Sequence, residues 1–366
     1  MNMVGADDVR WCPVKPFCMR RIHEYLQLSF TAHRLTNGGP LQEVLSHKLR
    51  ILTGSTRSII PACSGTAALH GLVVAWEMRL GKNLRWATQA FSFPSSYQGP
   101  LKDSLIFDID EQLGGPAEAD LCEKKSLFDG LVITNVTGLL ADVSFYSSWC
   151  RKEKKILIFD NAAVVVGQVD TCCIHDYGDG ATVSLHETKP TGRGEGGAIF
   201  APHDLSSYVM CALNFGFDPQ LRIPHPSCSN WKMSDVAAAF ILDHLDHVLD
   251  ELWVSKYKQK TEEFVEVLSE YGLTLYQPPS FPAIPASVRL SLPQGHDAAR
   301  VCDALNASNP VIEAKQYYRP LELEEKAPRS WQIYNTTVCL PFHLQLTHTQ
   351  LKYMACMIAN LCVQGN

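Results

Sequence analysis

A single lysine lies between a strand-like run and a glycine-rich turn in the stretch VSLHETKPTGRGEGGAIF, Val183 to Phe200. Lys189 is followed by Pro190, and four of the next eight residues are glycine. Glycine is used where the backbone must turn tightly or let another group come close. A lysine in such a turn is a candidate nucleophile or base, because burial and neighbouring charges can lower the pKa of its amine.

Two other groups could act together with this amine. Asp160 ends the apolar run KILIFD, and Ser64, Gly65 and Thr66 precede an apolar run that is typical of a helix. The free N–H groups at a helix start, together with its positive end, favour an anion such as a phosphate. Each of these features alone is common and usually structural. In combination they match pyridoxal 5′-phosphate, which needs a phosphate site, a carboxylate for its ring nitrogen and an amine for its aldehyde.

Short apolar runs that alternate with helical or polar segments predict the elements that position these groups. The strand-like runs are RSIIPAC, LRWATQAF, SLIFDID, GLVITNV, KILIFDNA and ATVSLHE. Runs rich in Ile, Val and Phe between helices indicate a mostly parallel sheet that is buried on both faces. Ligands of such sheets bind beyond the carboxyl ends of the strands. Asp160 and Lys189 both follow strand ends, so we expect them at the same edge.

Helix signals surround these runs. LQEVLSHKLRILTG is periodic and stops at Gly54, and SGTAALHGLVVAWEMRLG has Ser64 as its cap and Gly81 at its end. A long amphipathic helical region follows Asn230, and a final helix is predicted near Thr347 to Cys362.

The helical region after Asn230 joins two predicted domains. Residues 1–245 form a large domain that includes the N-terminal segment, and residues 246–366 form a smaller C-terminal α+β domain. Length also favours more than one domain in a chain of 366 residues.

Composition excludes several classes of protein. The formal charge of −6 and the scattered basic residues argue against a nucleic-acid partner. No segment approaches the roughly 18 apolar residues that span a bilayer, and the N-terminus is unlike a signal peptide. The 13 cysteines include no C-x-x-C pair, so neither a zinc site nor a disulfide framework is favoured. We therefore expect a cytoplasmic protein with reduced thiols, no metal and no membrane partner.

The motifs, in their order along the chain, resemble the DegT/DnrJ/EryC1/StrS family of sugar aminotransferases. SGTAALHGLVVAW resembles the family's phosphate-binding helix start, FSFPSS its aromatic segment over the cofactor, and IFDNAA the strand with the ring aspartate. SLHETKPTGRGEGG matches the most specific signature, and NFGF and NWKMSDVAAA match a segment that crosses to the partner subunit. The resemblance covers nearly the whole chain. It implies the type I fold of aspartate aminotransferase and pyridoxal 5′-phosphate as cofactor.

The resemblance also implies roles for individual residues. Lys189 would bind the cofactor through its aldehyde and then move the proton, and Asp160 would keep the ring nitrogen protonated. The remaining cofactor-binding residues would be Gly65, Thr66 and Ser184 at the phosphate, Phe93 rather than Phe91 over the ring, and Asn230 at the phosphate of the other subunit's cofactor. Substrate-binding residues would be His186, Arg193 and Tyr318. The role of Asn230 makes a homodimer necessary.

Three residues depart from the family pattern, and one of them, Phe215, replaces a histidine that is common before the glycine of the crossing segment, although NFGF also occurs in the family. The family usually has Gln or His three residues after the ring aspartate, at the cofactor's phenolic oxygen, whereas this chain has Ala163. Arg193 stands where small residues are frequent; it could bind a substrate phosphate or the donor's carboxylate, or be solvated.

The resemblance implies transfer of an amino group from L-glutamate to a nucleotide-linked keto-deoxysugar. The motifs are most similar to those of enzymes that act at C4 of 4-keto-6-deoxyhexoses, whose products, such as viosamine or perosamine, are used in surface glycans and the O-antigen. A C3-ketosugar or keto-cyclitol aminotransferase and a non-catalytic member are the alternatives. A dehydratase is disfavoured because those relatives have histidine in place of the lysine.

Overall fold

The chain alternates short strands with helices, as described by a computed structural model over residues 7–136, 140–164, 166–217, 225–250, 252–276 and 284–364. The helices are α1 (Met19–Thr31), α2 (Pro40–Thr53), α3 (Gly65–Leu80), α4 (Glu118–Lys124), α5 (Val143–Lys152), α6 (Ser206–Leu213), α7 (Asp235–Asp250), α8 (Trp253–Glu270), α9 (Ala298–Asn306), α10 (Pro328–Thr336) and α11 (His348–Gln364). The strands are β1 (Ser58–Ala62), β2 (Trp86–Gln89), β3 (Leu105–Phe107), β4 (Gly130–Thr134), β5 (Ile156–Asp160), β6 (Gln168–Val169), β7 (Cys172–Cys173), β8 (Gly180–Ser184), β9 (Gly197–Ala201), β10 (Thr274–Leu275), β11 (Ser287–Ser291) and β12 (Thr337–Pro341).

Seven strands form the large sheet, in the order β1-β9-β8-β5-β4-β2-β3. Strands β8, β5, β4, β2 and β3 pair in parallel, whereas β9 is antiparallel to both β1 and β8. Strand β1 therefore runs in the same direction as β8, and the carboxyl ends of β1, β5 and β8 lie at one edge. The predicted mostly parallel sheet is confirmed. The predictions omitted β9 because its short run begins inside the glycine-rich turn.

Helix α3 packs into the core, and this packing fixes its N-terminus at the same edge. The Ser64 hydroxyl caps the helix by accepting the Ala67 N–H at 3.1 Å. Gly81 ends it with a left-handed φ of 63°, which glycine adopts without a steric penalty. Both ends agree with the prediction. Leu69 and Leu72 are fully buried, and the burial of each contributes roughly 1.5–3 kcal/mol to stability.

The predicted long helical region consists of two helices. Helix α7 ends at Asp250, and α8 begins after Leu252, whose φ of 49° is incompatible with a continuous right-handed helix. Leu245 packs with the core under the large sheet, whereas Val248 packs with the C-terminal core. The domain boundary between residues 245 and 246 stays a prediction.

The C-terminal part contains a three-stranded antiparallel sheet in the order β10-β11-β12. Helices α8, α9 and α11 contribute buried residues to the core beneath it, among them Phe264, Val301 and Met354. This arrangement agrees with the predicted C-terminal α+β segment.

The N-terminal segment crosses to the C-terminal part of the chain. Val9 is fully buried in the C-terminal core and forms a parallel bridge with Ile312. The Val9 N–H donates to the carbonyl of Val311 at 2.7 Å, and the Glu313 N–H donates to the carbonyl of Val9 at 2.9 Å. These bonds place the next residues of the segment beside the sheet edge described above.

The thiols of all 13 cysteines are free. Across the described ranges, no helix combines the length and apolar character that a bilayer crossing needs. Nor do the described His, Cys, Asp and Glu side chains form a group of three or more that could hold a metal ion.

Candidate active site

A cavity of about 460 Å³ lies at the edge where β1, β5 and β8 end. Eight residues predicted from the sequence line it, namely Gly65, Thr66, Phe93, Asp160, Ser184, His186, Lys189 and Tyr318. The shared direction of the strands explains why residues more than a hundred positions apart meet there.

The start of α3 and the end of β8 form a cradle for an anion. Ser64 Oγ accepts the Ala67 N–H. The N–H groups of Gly65 and Thr66 have no partner in the described part of the protein. A Cβ atom at Gly65 would lie 2.9 Å from the Cβ of Ser184, so glycine is needed for this close approach. The Ser184 hydroxyl therefore lies next to two donors at the positive end of a helix, as a phosphate site requires.

Asp160 presents a buried carboxyl group to the cavity. Its side chain is only 3% exposed, and its Oδ1 accepts the Ala162 N–H at 3.1 Å. Burial raises the pKa of Asp160 to about 6, and the Ala162 hydrogen bond and the charge of Lys189 act in the opposite direction. A second cation in the cavity, such as a protonated ring nitrogen, would favour the ionised carboxylate.

Lys189 lies in a tight turn beside this carboxylate. The Lys189 N–H donates to the carbonyl of His186 at 2.8 Å, and the carbonyl of Lys189 accepts the Gly192 N–H at 3.0 Å. Burial lowers the pKa of the Lys189 amine, while the Asp160 carboxylate acts in the opposite direction. The uncharged, nucleophilic form of the amine is therefore more accessible than in a solvated lysine.

Aromatic side chains form one wall of the cavity. The rings of Phe93 and Tyr318 meet edge to face at 5.3 Å, and Tyr317 stacks on Tyr318 at 4.8 Å. Trp11 contacts Tyr317 edge to face at 5.7 Å. Phe93 is 45% exposed, whereas Phe91 is 1% exposed and packs in a separate core cluster. This geometry favours Phe93 over Phe91 as the ring-stacking residue, which stays a prediction.

His186 links the phosphate cradle to the lysine turn. Its backbone N–H donates to Ser184 Oγ at 3.3 Å, so the Ser184 hydroxyl can donate its own proton to an anion. Its Nδ1 accepts the Thr188 N–H at 3.1 Å, which leaves the proton on Nε2. That nitrogen lies 3.5 Å from the carboxylate of Glu195, which also lines the cavity.

Ala163 lines the cavity at the position where the family usually has Gln or His. The amide of Asn135, which lines the same cavity, donates one Nδ2 proton to Asn161 at 2.6 Å and accepts the Ala141 N–H on Oδ1 at 2.7 Å. Its second Nδ2 proton is a donor that Ala163 lacks.

Arg193 lies outside the cavity. Its Nη2 donates to the carbonyls of Lys15 at 2.6 Å and Pro16 at 2.9 Å, and its Nη1 lies 3.4 Å from the Asp243 carboxylate. The guanidinium is thus bound within the protein, and this geometry does not favour the predicted substrate contact.

Asn230 also lies outside the cavity. Its Oδ1 accepts the Lys232 ammonium at 2.7 Å, and its backbone forms a bridge with Asn214. The predicted contact of Asn230 concerns a partner subunit, so it stays a prediction.

Sequence reasoning missed three residues of this region. Trp11 and Lys315 line the cavity, and the Lys315 ammonium lies 4.3 Å from the centre of the Trp11 ring. Lys15 is buried beneath the lysine turn. The only sequence signal for Lys315 is its closeness to Tyr318. No local signal exists for Trp11 or Lys15, which reach the site through the pairing of Val9.

The residues fit pyridoxal 5′-phosphate. The cradle that a Cβ at Gly65 would fill suits the phosphate, and Asp160 is a buried carboxyl group that a ring nitrogen could approach. The Lys189 amine lines the same cavity and could meet the aldehyde.

Comparison with known proteins places these motifs in context. The profile of the DegT/DnrJ/EryC1/StrS aminotransferase family matches residues 19–359. The dTDP-4-amino-4,6-dideoxy-D-glucose transaminase of Shigella dysenteriae is 25% identical over 368 residues, covering 92% of this chain and 94% of that protein.

Solved structures show the same fold. DesI, crystallised in the presence of its TDP-sugar product, has a TM-score of 0.83 and 20% identity, covering 99% of this chain and 95% of DesI. PseC of Helicobacter pylori, an aminotransferase involved in pseudoaminic acid biosynthesis, has a TM-score of 0.80 and 15% identity, covering 98% of this chain and all of PseC.

Proposed function

The chain belongs to the DegT/DnrJ/EryC1/StrS aminotransferase family, and from this we propose that it transfers an amino group from L-glutamate to C4 of a nucleotide-linked 4-keto-6-deoxyhexose. The cofactor is pyridoxal 5′-phosphate. The observation that carries the proposal is the meeting of the α3 cradle, Asp160 and Lys189 in one cavity. A non-catalytic relative would have no need to keep all three groups together.

Each of these residues has a defined task. Bound pyridoxal 5′-phosphate supplies an aldehyde that carries the amino group and a ring that withdraws electrons from the carbon that loses its proton. The N–H groups of Gly65 and Thr66, with the Ser184 hydroxyl, hold the phosphate. Asp160 accepts the hydrogen bond of the ring nitrogen. Lys189 Nζ removes the proton from the α-carbon of the amino donor and delivers a proton to the sugar carbon that is aminated.

The wall of the cavity suits a nucleotide-linked sugar. Trp11, Tyr317 and Tyr318 offer ring faces and edges that can pack on a sugar or a base. Lys315, which also lines the cavity, supplies a positive charge for a diphosphate or for the donor's carboxylate. The Shigella relative, whose name specifies a 4-amino sugar, supports amination at C4.

A homodimer is part of the proposal. Exposed apolar side chains lie in and beside the segment that the family resemblance assigns to the partner subunit. Met210 is 57% exposed, Phe215 43% and Phe217 63%, and Phe215 is hydrogen-bonded through its N–H to Ser229, next to Asn230. Clustered apolar residues of this kind favour burial against another protein surface.

The test is an amination assay with several acceptors. Purified protein, pyridoxal 5′-phosphate and L-glutamate are incubated with dTDP- and GDP-linked 4-keto-6-deoxyhexoses, a dTDP-linked 3-keto isomer and a keto-cyclitol, and the aminated carbon is assigned by NMR. We expect an amine at C4, and no product from Lys189→Ala. Amination at C3 or of the cyclitol would move the protein to one of the alternative activities. The absence of product with every acceptor would refute the proposal.

A further inference from the structure

Lys15 holds the turn that carries Lys189. Its ammonium group is within hydrogen-bonding distance of the carbonyl oxygens of Glu187 at 2.5 Å, Lys189 at 2.8 Å and Gly192. The residue is only 8% exposed. An ammonium group has three protons, so all of them can be used by one six-residue turn.

The turn is shaped so that these carbonyls converge. The Arg193 N–H donates to the carbonyl of Leu185 at 3.1 Å, which closes the turn on itself. A Cβ atom at Gly192 would collide with the carbonyl of His186, so the chain is packed against its own backbone there. The Lys189 carbonyl also accepts the Gly192 N–H, whereas the carbonyls of Glu187 and Gly192 accept from Lys15. A buried acceptor left without a donor costs about 1–3 kcal/mol.

The lysine turn also fixes the position of Lys15. The Arg193 guanidinium donates to the carbonyls of Lys15 and Pro16 and is paired with Asp243 of α7. The Gln345 side chain donates to the carbonyl of Val14 at 2.7 Å. This reciprocal arrangement engages the Arg193 guanidinium within the protein, and its predicted substrate contact stays a prediction.

The Lys15 ammonium also interacts with the negative charge of Glu187. The Lys15 ammonium lies 3.9 Å from the Glu187 carboxylate. Burial lowers the pKa of Lys15 to about 8, and the charge of Glu187 acts in the opposite direction. Uncompensated burial of a cation is costly, so the convergent carbonyls are what make this position tenable.

We propose that Lys15 is a positioning residue for Lys189: it fixes the backbone of the turn so that the Lys189 amine projects into the cavity at the depth where an aldehyde is held. The proposal rests on the function assigned to Lys189 above. Lys15 lines the neighbouring cavity of about 190 Å³ rather than the larger one, so it is not expected to contact the cofactor or the substrate.

The test replaces Lys15 with Met, which has a similar length and no charge, and with Arg, which keeps the charge. Lys155→Met is the matched control, because its ammonium also donates to two backbone carbonyls, those of Lys125 and Phe128, both at 2.6 Å, away from the cavity. Melting temperatures of the cofactor-free proteins measure the purely structural effect of each change.

Two readouts report on the Lys189 amine itself. The first is its acylation rate by an amine-reactive reagent in the cofactor-free protein as a function of pH, read by peptide mass spectrometry. The second is the rate at which borohydride fixes pyridoxal 5′-phosphate to Lys189. We expect Lys15→Met to slow fixation by about 10- to 100-fold, in line with the cost of a 1 Å misplacement, and to change the pH profile of acylation. Lys15→Arg is expected to restore part of both, and Lys155→Met to change neither.

Unchanged fixation and an unchanged acylation profile in Lys15→Met would overturn the proposal. So would a loss that Lys155→Met reproduces at the same melting temperature. If Lys15→Met does not fold, Lys15→Gln takes its place, because its shorter amide cannot bond all three carbonyls. A shifted acylation profile at a native melting temperature then supports positioning, and an unchanged profile with unchanged fixation refutes it. Wild-type protein that never fixes the cofactor would refute the proposed function instead, while the cofactor-free acylation still decides the role of Lys15.

Discussion

Replacing Asp160 with asparagine should stabilise the cofactor-free protein while it weakens cofactor binding. Burial raises the pKa of Asp160 from 3.8 to about 6. Between these two pH values the folded protein binds a proton that the unfolded chain does not, so stability falls as pH rises through this interval. Above pH 6 the ionised, buried carboxylate costs the full difference, about 3 kcal/mol at about 1.4 kcal/mol per pH unit.

Asparagine is never charged, so Asp160→Asn escapes this cost and can keep the hydrogen bond from the Ala162 N–H. The stability difference between variant and wild type should be close to zero near pH 4. It should grow to about 3 kcal/mol in favour of the variant at pH 7.5, or about 5 °C in melting temperature. Melting curves of both cofactor-free proteins at pH 4.5, 6 and 7.5 measure the difference, with the exposed Asp103→Asn as the charge-matched control.

Addition of pyridoxal 5′-phosphate should reverse the order. In the proposed function the Asp160 carboxylate would make a charge-assisted hydrogen bond to the ring nitrogen, and its loss should weaken cofactor binding by about 10- to 100-fold. Wild type should then melt above the variant at saturating cofactor. A cofactor-free Asp160→Asn protein that melts below wild type at pH 7.5, or a difference that is independent of pH, would refute this reasoning.

Two other predictions concern the phosphate. Gly65→Ala places a Cβ 2.9 Å from the Cβ of Ser184. We therefore expect at least 10-fold weaker cofactor binding by absorbance titration. We also expect the free energy of unfolding to fall by about 1–3 kcal/mol, which lowers the melting temperature. Adding Ser184→Gly should recover the melting temperature, and failure to do so would locate the strain elsewhere. Asn230→Ala and Lys189→Ala should each be impaired alone, but mixed dimers should regain up to half of wild-type activity, because one of their two sites then contains both native residues. No recovery on mixing would show that Asn230 serves its own subunit or neither.

The sequence alone predicted the residues whose chemistry is tied to a strand or helix end. Asp160 and Ser184 lie in predicted strands, Lys189 follows one, and Gly65 begins a predicted helix. The direction of the sheet was therefore sufficient to bring them together. Their spacing in the chain carried the family signature as well. For these residues local pattern and tertiary position agree.

Other features depend on contacts that no local pattern specifies. Lys15 and Trp11 reach the site because Val9 pairs with Ile312, some three hundred residues away. Arg193 has the chemistry of a substrate ligand, yet its guanidinium is bound by backbone carbonyls and by Asp243. Charge and residue type cannot reveal in advance which partner a side chain meets.

The family profile begins to match at residue 19, whereas Trp11 and Lys15 lie in the N-terminal segment that precedes it. Suppose that only the loops around the sheet edge are exchanged between two relatives to change specificity. The N-terminal segment of one protein would then pack against the lysine turn of the other. Such a hybrid would retain every catalytic motif and lose the hydrogen bonds by which we propose that Lys15 positions the turn of Lys189. The N-terminal segment should therefore be transferred together with the lysine turn.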